Sequence, residues 1–334
     1  MENFLRVLDS YPVHSISTEQ ITDHVMRITD GKQVYALKKS RLNRKTITSW
    51  QNVFHLAQQH NLAAILPVYM TKQRDLLCQV DGHFYYLTPW IETRELEKKQ
   101  QIERMYQTIG VIHAKTNQSM SLDVKQITDS FRNYKKTLVT NRSFLLECVE
   151  VFEKNHYMSP VELLVCSQYR DLDFILRELE ERVELFIDEL SNQSEWYYCL
   201  CHGKLDFTHY LFADRTYLIN WEHANYDNAT RDLATLYHNI VNDYDDPTDD
   251  YIDFFTAYMK KNSLSKAELY LLSIYLLDPS QYINLLTQHR KNPSEVSQVD
   301  MIQRLQRNYR KLSFAVQWME FTDSLAKSTD ETDD

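Results

Sequence analysis

Glycine is scarce in this sequence, and its scarcity limits the kinds of site that the chain can form. Four glycines occur among 334 residues, whereas glycine makes up about 7% of an average protein. The local pattern uses all of them, in turns (Gly31 and Gly82), in a helical segment (Gly110) and beside His202 (Gly203). None remains to build a glycine-rich loop around nucleotide phosphates. The segment 15–20 still offers backbone amides that could cover phosphates.

Long apolar runs are also missing, and the cysteines do not form a framework. No run of 18 apolar residues occurs, so the sequence predicts no membrane span. The first residues lack the apolar core of a signal peptide, so we expect synthesis in a reducing cytoplasm. Five cysteines, an odd number, do not indicate a set of disulfides. Cys199 and Cys201 precede His202, but no fourth zinc ligand completes the group, and buried thiols are the preferred interpretation.

The charge balance excludes one class of partner. Lys and Arg number 37 and Asp and Glu 47, which gives a net charge of −10 and an isoelectric point near 5.7. Nucleic-acid binding depends on basic surfaces, so nucleic acid is not expected as the main partner. With 43% hydrophobic and 25% charged residues, the composition is typical of a globular protein.

The first 90 residues predict a small α+β lobe. Asp30-Gly31 and Asp81-Gly82, each flanked by strand-forming residues, predict two-residue hairpins in which both turn residues have positive φ. A short leading helix and a helix over residues 43–60 complete the lobe. We expect its last strand to end near Pro89, because proline cannot donate a further ladder hydrogen bond.

From residue 95 onward, the spacing predicts helices. Apolar residues recur at helical spacing and predict a buried stripe formed by Ile102, Met105, Tyr106, Ile109 and Ile112. The pattern predicts further helices near residues 174–187, 250–260, 266–277 and 299–325. The acidic loop 243–250 is interpreted as the start of a helix, and residues 327–334 as a disordered acidic tail.

Two later segments have the spacing of a catalytic motif. The first is His202-Gly203-Lys204 followed by His209, and the second is Ile219-Asn220-Trp221-Glu222. This frame resembles the catalytic centre of the aminoglycoside and choline phosphotransferase superfamily, where His-Gly-Asp and a later Asn precede Ile-Asp-Trp-Glu. By this resemblance, Lys204 stands at the position of the general base. His209 and Asn220 stand at the positions of the two metal ligands.

These three substitutions argue against catalysis. A carboxylate that accepts the proton of the attacking hydroxyl contributes about 10²–10⁴-fold to the rate, and a protonated lysine cannot take this role. Magnesium prefers oxygen ligands, usually including carboxylates. Asn220 offers a neutral oxygen and His209 a nitrogen, so this pair of residues predicts a poor magnesium site.

Lys38 matches the remaining catalytic position. It stands where the kinase lysine contacts nucleotide phosphates, and in active kinases a glutamate of the next helix orients that lysine. The predicted helix over residues 43–60 contains no Asp or Glu, so we expect no such ion pair from this helix. An exposed lysine at the end of a strand is an equal alternative for Lys38.

Together with the segment Leu87-Thr88-Pro89-Trp90-Ile91-Glu92, these motifs resemble the spore-coat-associated kinase-like proteins of spore-forming Firmicutes, the CotS group and its YutH branch. The resemblance covers nearly the whole chain. It implies a two-lobed protein-kinase-like fold, made during sporulation and associated with the spore coat, with residues 87–92 as the hinge that meets the adenine.

The resulting expectation is an α+β protein with an aminoglycoside phosphotransferase-like fold. Its predicted parts are a mostly β lobe over residues 1–90, a helical lobe over 91–326 and an acidic tail. We expect a pseudokinase without catalytic residues, cofactor or metal, which binds other proteins, among them components of the spore coat. Any ATP is expected to bind without metal, held by Lys38 and Lys204.

Two alternatives remain open from the sequence. The first is an active small-molecule phosphotransferase, with Asp206 as the base and with Glu222 and Asp227 as metal ligands. The second is a nucleotide sensor that binds without turnover.

Overall fold

Five antiparallel strands form the sheet of the N-terminal part. The computed structural model describes residues 2–193, 195–241, 247–293 and 295–330. The sheet has the order β1-β2-β3-β5-β4 and is formed by β1 (Ser17–Thr22), β2 (Val25–Thr29), β3 (Val34–Ser40), β4 (Cys78–Val80) and β5 (His83–Pro89). The segment proposed from sequence as a phosphate cover lies mostly in β1, which pairs with β2.

The sheet packs one of its faces against the first helix. Helix α1 (Glu2–Leu8) buries Phe4 and Val7 in a cluster with Met26, Leu37 and Leu87 of the sheet. Successive side chains of a strand point to opposite faces. The residues that alternate with this cluster along β3 and β5 therefore lie on the other face of the sheet.

The two Asp-Gly turns differ from each other. Asp81 and Gly82 both have positive φ, 49° and 77°, and connect Val80 directly to its partner His83, as predicted. The prediction of a two-residue turn at Asp30-Gly31 is wrong, because the last pair there is Thr29 with Val34. The Asp30 carboxylate accepts hydrogen bonds from the amides of Lys32 and Gln33, at 2.8 and 2.7 Å, and so stabilises a four-residue loop.

The predicted buried stripe is confirmed in the helix that follows the hinge. Helix α2 (Ile47–Gln59) precedes it, and helix α3 (Lys98–Thr116) carries the five stripe residues, all with no exposed surface. Gly110 of α3 lies against residues 258–261, since a Cβ at this position would come within 2.9 Å of the Cβ of Lys261. Glycine thus permits this close packing.

Short strands carry the segments of the catalytic-type motif. They are β7 (Glu195–Cys201), β8 (Tyr210–Phe212), β9 (Thr216–Leu218) and β10 (Asn225–Asp227), after β6 (Gln118–Ser121). β8 and β9 form a hairpin, and β10 pairs with β7. Two 3₁₀ turns, Phe207–His209 and Trp221–His223, follow the loop after β7 and the end of β9.

Helices make up most of the remaining chain. They are α4 (Val124–Phe152), α5 (Pro160–Ser191), α6 (Ala229–Ile240), α7 (Thr248–Asp253), α8 (Phe255–Met259), α9 (Lys266–Leu277), α10 (Ser280–Lys291) and α11 (Gln298–Asp330). None of the helices in the described ranges is long and apolar enough to cross a membrane.

The helix predictions differ in accuracy. α9 has the predicted bounds, whereas α5 begins well before residue 174 because Ser159 and Glu162 form a capping box there. The helix predicted over 250–260 is divided between α7 and α8. α11 continues to Asp330, which is helical rather than part of a disordered tail. Residues 243–246 of the acidic loop and 331–334 of the tail lie outside the described residues.

The chain divides into two compact units. Unit 1 comprises the residues up to Gln118, Tyr198–Ala229 and Phe254–Asn262. Unit 2 comprises Ser119–Tyr197, Thr230–Asp253 and Ser263 onward, and is mainly helical. Each unit thus consists of three segments that are distant in sequence. The single boundaries expected at residues 90 and 326 remain predictions.

Gly203 connects the two motif segments of unit 1. It has a φ of 75°, and a Cβ at this position would lie 2.1 Å from the carbonyl oxygen of His223. The loop after β7 therefore touches the second 3₁₀ turn, backbone to backbone. Only glycine satisfies both the conformation and the contact.

We predict that Gly203→Ala destabilises the protein far more than Gly82→Ala. Gly82 has nearly the same φ, 77°, but nothing lies within 4 Å of a Cβ added there. Gly82→Ala should cost about 1–2 kcal/mol of unfolding free energy, the cost of the left-handed conformation. Gly203→Ala adds the clash and should cost several kcal/mol. Urea unfolding of both variants measures the difference, and equal losses would contradict the contact with His223.

Candidate functional site

An apolar cleft of about 330 Å³ lies in unit 1, on the face of the sheet opposite to α1. Ala36, Lys38 and Tyr86, which alternate with the residues packed on α1, line its wall. Further lining residues come from β2, α2, the hinge and the segment around β9, among them Val25, Trp50, Phe54, Trp90, Ile91, Leu218 and Trp221. Lys38 is the only lining residue with a charged side chain among the described residues.

Lys38 forms an ion pair with Glu222 inside this cleft. The Nζ of Lys38 lies 2.5 Å from the Oε1 of Glu222, and the two side chains are 20% and 8% exposed. The same oxygen accepts hydrogen bonds from the Tyr86 hydroxyl at 3.0 Å and from the Ser40 hydroxyl at 3.5 Å. As expected, α2 supplies no acid. The partner comes instead from the second 3₁₀ turn, and Lys38 is not an exposed strand-end lysine.

Lys38 and Glu222 each shift the pKa of the other toward its charged form. Burial lowers the pKa of Lys38, and the charge of Glu222 opposes this shift. For Glu222, burial acts to raise the pKa, but Lys38 and the hydrogen bonds it receives outweigh burial and hold this pKa below its usual range. Burial and the Glu222 charge raise the pKa of Tyr86, which therefore stays protonated as a donor. Each partner of the pair therefore favours the charged form of the other.

Asn220 faces Lys38 from the start of the second 3₁₀ turn. Its backbone is left-handed, with φ 70° and ψ 47°, a conformation that asparagine and aspartate tolerate better than most residues. The side-chain carbonyl of Asn220 accepts a hydrogen bond from Lys38. The oxygen at this supposed metal position therefore already contacts a cation of the chain.

His209 stands at the other supposed metal position and also bonds to the chain. Its Nδ1 donates to the Lys204 carbonyl over 3.0 Å, and its ring lies 5.1 Å from that of His202, between centroids. Burial and the neighbouring His202 lower the pKa of His209 to about 4. The imidazole is therefore neutral at pH 7.

Lys204 and Asp206 lie apart from the cleft wall. Lys204 is exposed and is not among the residues that line the cleft. Asp206 caps the first 3₁₀ turn, where its Oδ1 accepts from the amide and hydroxyl of Thr208 at 2.8 and 2.6 Å. Asp227, proposed with Glu222 as an alternative metal ligand, accepts from the Asn228 amide at 2.8 Å and does not line the cleft.

The histidine that lies beside Cys199 and Cys201 is His113, not His202 as the sequence pattern suggested. His202 is buried and turns its Nε2 to the carbonyl of Ile219, 2.8 Å away. His113 of α3 instead joins Cys199 and Cys201, and the ligand atoms of these three residues lie within 4.8 Å of one another. No sequence pattern indicates His113, because it lies 86 residues before Cys199 along the chain.

We predict that His209 makes the protein less stable in mild acid. The pKa of His209 is about 4 in the folded chain and about 6.5 in an unfolded one. Between these values the unfolded state binds more protons, so the unfolding free energy falls as the pH decreases from 6.5 to 4. His209→Asn should flatten this part of the curve in urea unfolding at several pH values. His238, whose pKa burial also lowers, is present in both proteins, so their difference isolates His209. Parallel curves would contradict the assignment.

The fold is shared with solved structures of small-molecule kinases. An aminoglycoside phosphotransferase from Alicyclobacillus acidocaldarius subsp. acidocaldarius DSM 446 superposes with a TM-score of 0.70, covering 97% of this chain and 96% of that one at 14% identity. Amicoumacin kinase hAmiN, in complex with AMP-PNP, Ca²⁺ and Ami, superposes with a TM-score of 0.55, covering 92% of this chain and 91% of that one at 14% identity. The AMP-bound spectinomycin phosphotransferase APH(9)-Ia has a TM-score of 0.53, with 94% of this chain and 98% of that one covered at 14% identity.

At such low identity, these likenesses show the fold alone. Compared with curated proteins, the sequence has no significant match. The sequence profile of the phosphotransferase enzyme family, APH, matches residues 13–260, which is well over half of the chain. The predicted kinase-like α+β fold is confirmed, and the chain belongs to the APH phosphotransferase enzyme family.

Proposed function

We propose that this chain is a pseudokinase: a family member that has lost phosphotransfer and acts by binding other proteins. One observation carries the proposal. The side chains at both supposed metal positions bond within the chain, Asn220 to Lys38 and His209 to the carbonyl of Lys204. A divalent cation would have to displace these contacts, and it would gain only a neutral oxygen and a nitrogen as ligands.

The energetics of phosphoryl transfer support the same conclusion. The reaction depends on positioning and on cations that neutralise the phosphate charge. Among the described residues, Lys38 is the one cation that lines the cleft, and it pairs with Glu222 at 2.5 Å. Active kinases also pair this lysine with a glutamate, so the charge compensation that this motif lacks is that of the metal ion. No carboxylate stands at position 204 to accept the proton of an attacking hydroxyl. Base and charge compensation are both missing, so transfer is expected at the background rate.

Nucleotide binding without turnover stays a prediction. Lys38 lines the cleft and Lys204 does not, so the two lysines do not form one phosphate-binding pair within this pocket. A phosphate that reaches Lys38 must also compete with the Glu222 carboxylate. Any metal-independent binding of ATP is therefore expected to be weak and sensitive to salt.

We predict that the unmodified chain shows no magnesium-dependent ATP hydrolysis. The triple variant Lys204→Asp, His209→Asn and Asn220→Asp restores the three residues that the family motif places there. The triple variant should gain ATP hydrolysis above background, because Lys38 and Glu222 already stand in the cleft. Phosphate release with and without magnesium measures the gain.

A matched control is Lys204→Asp alone, which restores the base but not the metal ligands and should remain inactive. The alternative of relocated catalysis gives a different result. The unmodified chain would then phosphorylate a small hydroxyl or amine compound, and Asp206→Ala would abolish the reaction. This outcome would overturn the proposal.

Exposed apolar side chains on two long helices of unit 2 support a protein-binding role. Val139 and Leu146 are separated by seven residues on α4, and Leu163 and Phe174 by eleven on α5, so each pair shares a helix face. All four are more than 40% exposed. Exposed apolar surface of this kind is typical of interaction sites.

We extend the proposal to the spore coat, on the resemblance of the motif and hinge to the CotS group. In a spore-forming host, a fluorescent fusion of the chain should move to the forming coat during sporulation. Leu163→Asp with Phe174→Asp should release it, because charge on this helix face opposes an apolar contact. Ile16→Asp with Met70→Asp is the matched control, since these residues are also exposed apolar side chains, 74% and 54%, but belong to unit 1. A fusion that never leaves the cytoplasm would refute the coat assignment.

A further inference from the structure

A buried group of soft ligands lies in unit 1, outside the cleft. His113 of α3 and Cys199 and Cys201 of β7 are 0%, 2% and 1% exposed. Residues two apart in a strand point to the same face, so both thiols face in one direction. Their sulfur atoms lie 3.9 Å apart, and the ligand atoms of the three residues lie within 4.8 Å of one another.

These distances are close to those of a tetrahedral zinc site. With Zn–S near 2.3 Å and Zn–N near 2.0–2.1 Å, tetrahedral angles place two sulfurs about 3.8 Å apart and sulfur and nitrogen about 3.6 Å apart. The sulfur pair thus already has almost the required separation. An imidazole nitrogen at the 4.8 Å limit would have to move closer to the sulfur atoms by about 1 Å.

Two backbone carbonyl oxygens lie close to Cys201. The carbonyl oxygens of Asp227 and Asn228 lie 3.5 and 3.6 Å from the Sγ of Cys201. In a tetrahedron with an oxygen ligand at about 2.1 Å, sulfur and oxygen are about 3.6 Å apart. The distance from Cys201 to either carbonyl oxygen is therefore the one that a fourth, oxygen ligand requires.

The histidine is held by an outer partner. Its Nδ1 lies 2.9 Å from the Tyr258 hydroxyl, which fixes the ring and makes Nε2 the nitrogen that a metal would take. Metal-binding histidines usually have such a partner on the other ring nitrogen, because it fixes the tautomer and the ring orientation.

Charge selects among the thiophilic ions. Two thiolates and a neutral imidazole carry a charge of −2, which Zn²⁺ cancels and Cu⁺ does not. Since a net charge in a buried site costs much free energy, the divalent ion fits better. We propose that His113, Cys199 and Cys201 bind one structural Zn²⁺, with a carbonyl oxygen of Asp227 or Asn228 as the fourth ligand.

This proposal revises the expectation of no metal, because the ligand missing from the sequence pattern is His113. Binding replaces two S–H bonds with two Zn–S bonds, and both protons leave to solvent. Because the ligands are buried, the ion enters during folding and stabilises the folded chain. Zinc would then connect α3 to β7 directly before the His202-Gly203 loop.

The full-length chain, produced in zinc-supplemented medium and freed of loose metal by gel filtration, should contain about one zinc per molecule by mass spectrometry. Cys199→Ser with Cys201→Ser should lower this content to background. The matched control is Cys148→Ser with Cys166→Ser, which removes two thiols of α4 and α5 and should leave the zinc in place. Zinc retained by the first variant would overturn the proposal.

A second measurement on the unmodified chain covers the possibility that the serine variants do not fold. The chain is unfolded with denaturant and chelator and then refolded with Co²⁺. Bound cobalt should show thiolate charge transfer in the near ultraviolet and the intense visible bands of a tetrahedral site. Refolding with Zn²⁺ should raise the melting temperature by several degrees over refolding with chelator. If the refolded chain binds neither ion, the proposal is wrong.

Discussion

The ion pair between Lys38 and Glu222 is the constraint on which the rest of unit 1 depends. It joins β3 to the second 3₁₀ turn, in a place where each charge has little access to water. Removing one partner of such a pair leaves a buried charge and costs about 3–5 kcal/mol. Tyr86 and Ser40 direct their hydroxyls to the same carboxylate oxygen. The arrangement therefore stabilises unit 1 independently of any role in catalysis.

The cleft keeps the frame of the family and changes its charges. His202 and Gly203 have structural contacts, with the Ile219 carbonyl and the His223 backbone. Lys204, in contrast, is exposed, and no packing requirement fixes its chemistry. The residues of the motif that hold the backbone together are thus present, whereas the three positions that the resemblance assigns to base and metal ligands carry Lys204, His209 and Asn220.

Short-range patterns predicted the elements that depend on short-range physics. The Asp81-Gly82 turn, the buried stripe of α3 and the bounds of α9 each follow from a few consecutive residues. The prediction of a two-residue turn at Asp30-Gly31 is wrong, because the Asp30 carboxylate accepts hydrogen bonds from the amides of Lys32 and Gln33 and stabilises a longer loop. Of the residues that the motif singled out, Lys38 and Asn220 line the cleft and Lys204 does not. The motif did not predict the partners of Lys38 and of the two cysteines. Each partner comes from a distant segment that only the folded chain brings near.

The left-handed backbone at Asn220 has an evolutionary consequence. Few side chains accept this conformation at low cost, and aspartate, asparagine and glycine are the main ones. Position 220 can therefore accept either the aspartate of the family motif or the asparagine of this chain, and few other residues. Position 220 has little freedom to drift further, even without selection for metal binding. A lineage that lost catalysis here would stay one conservative exchange away from regaining this ligand.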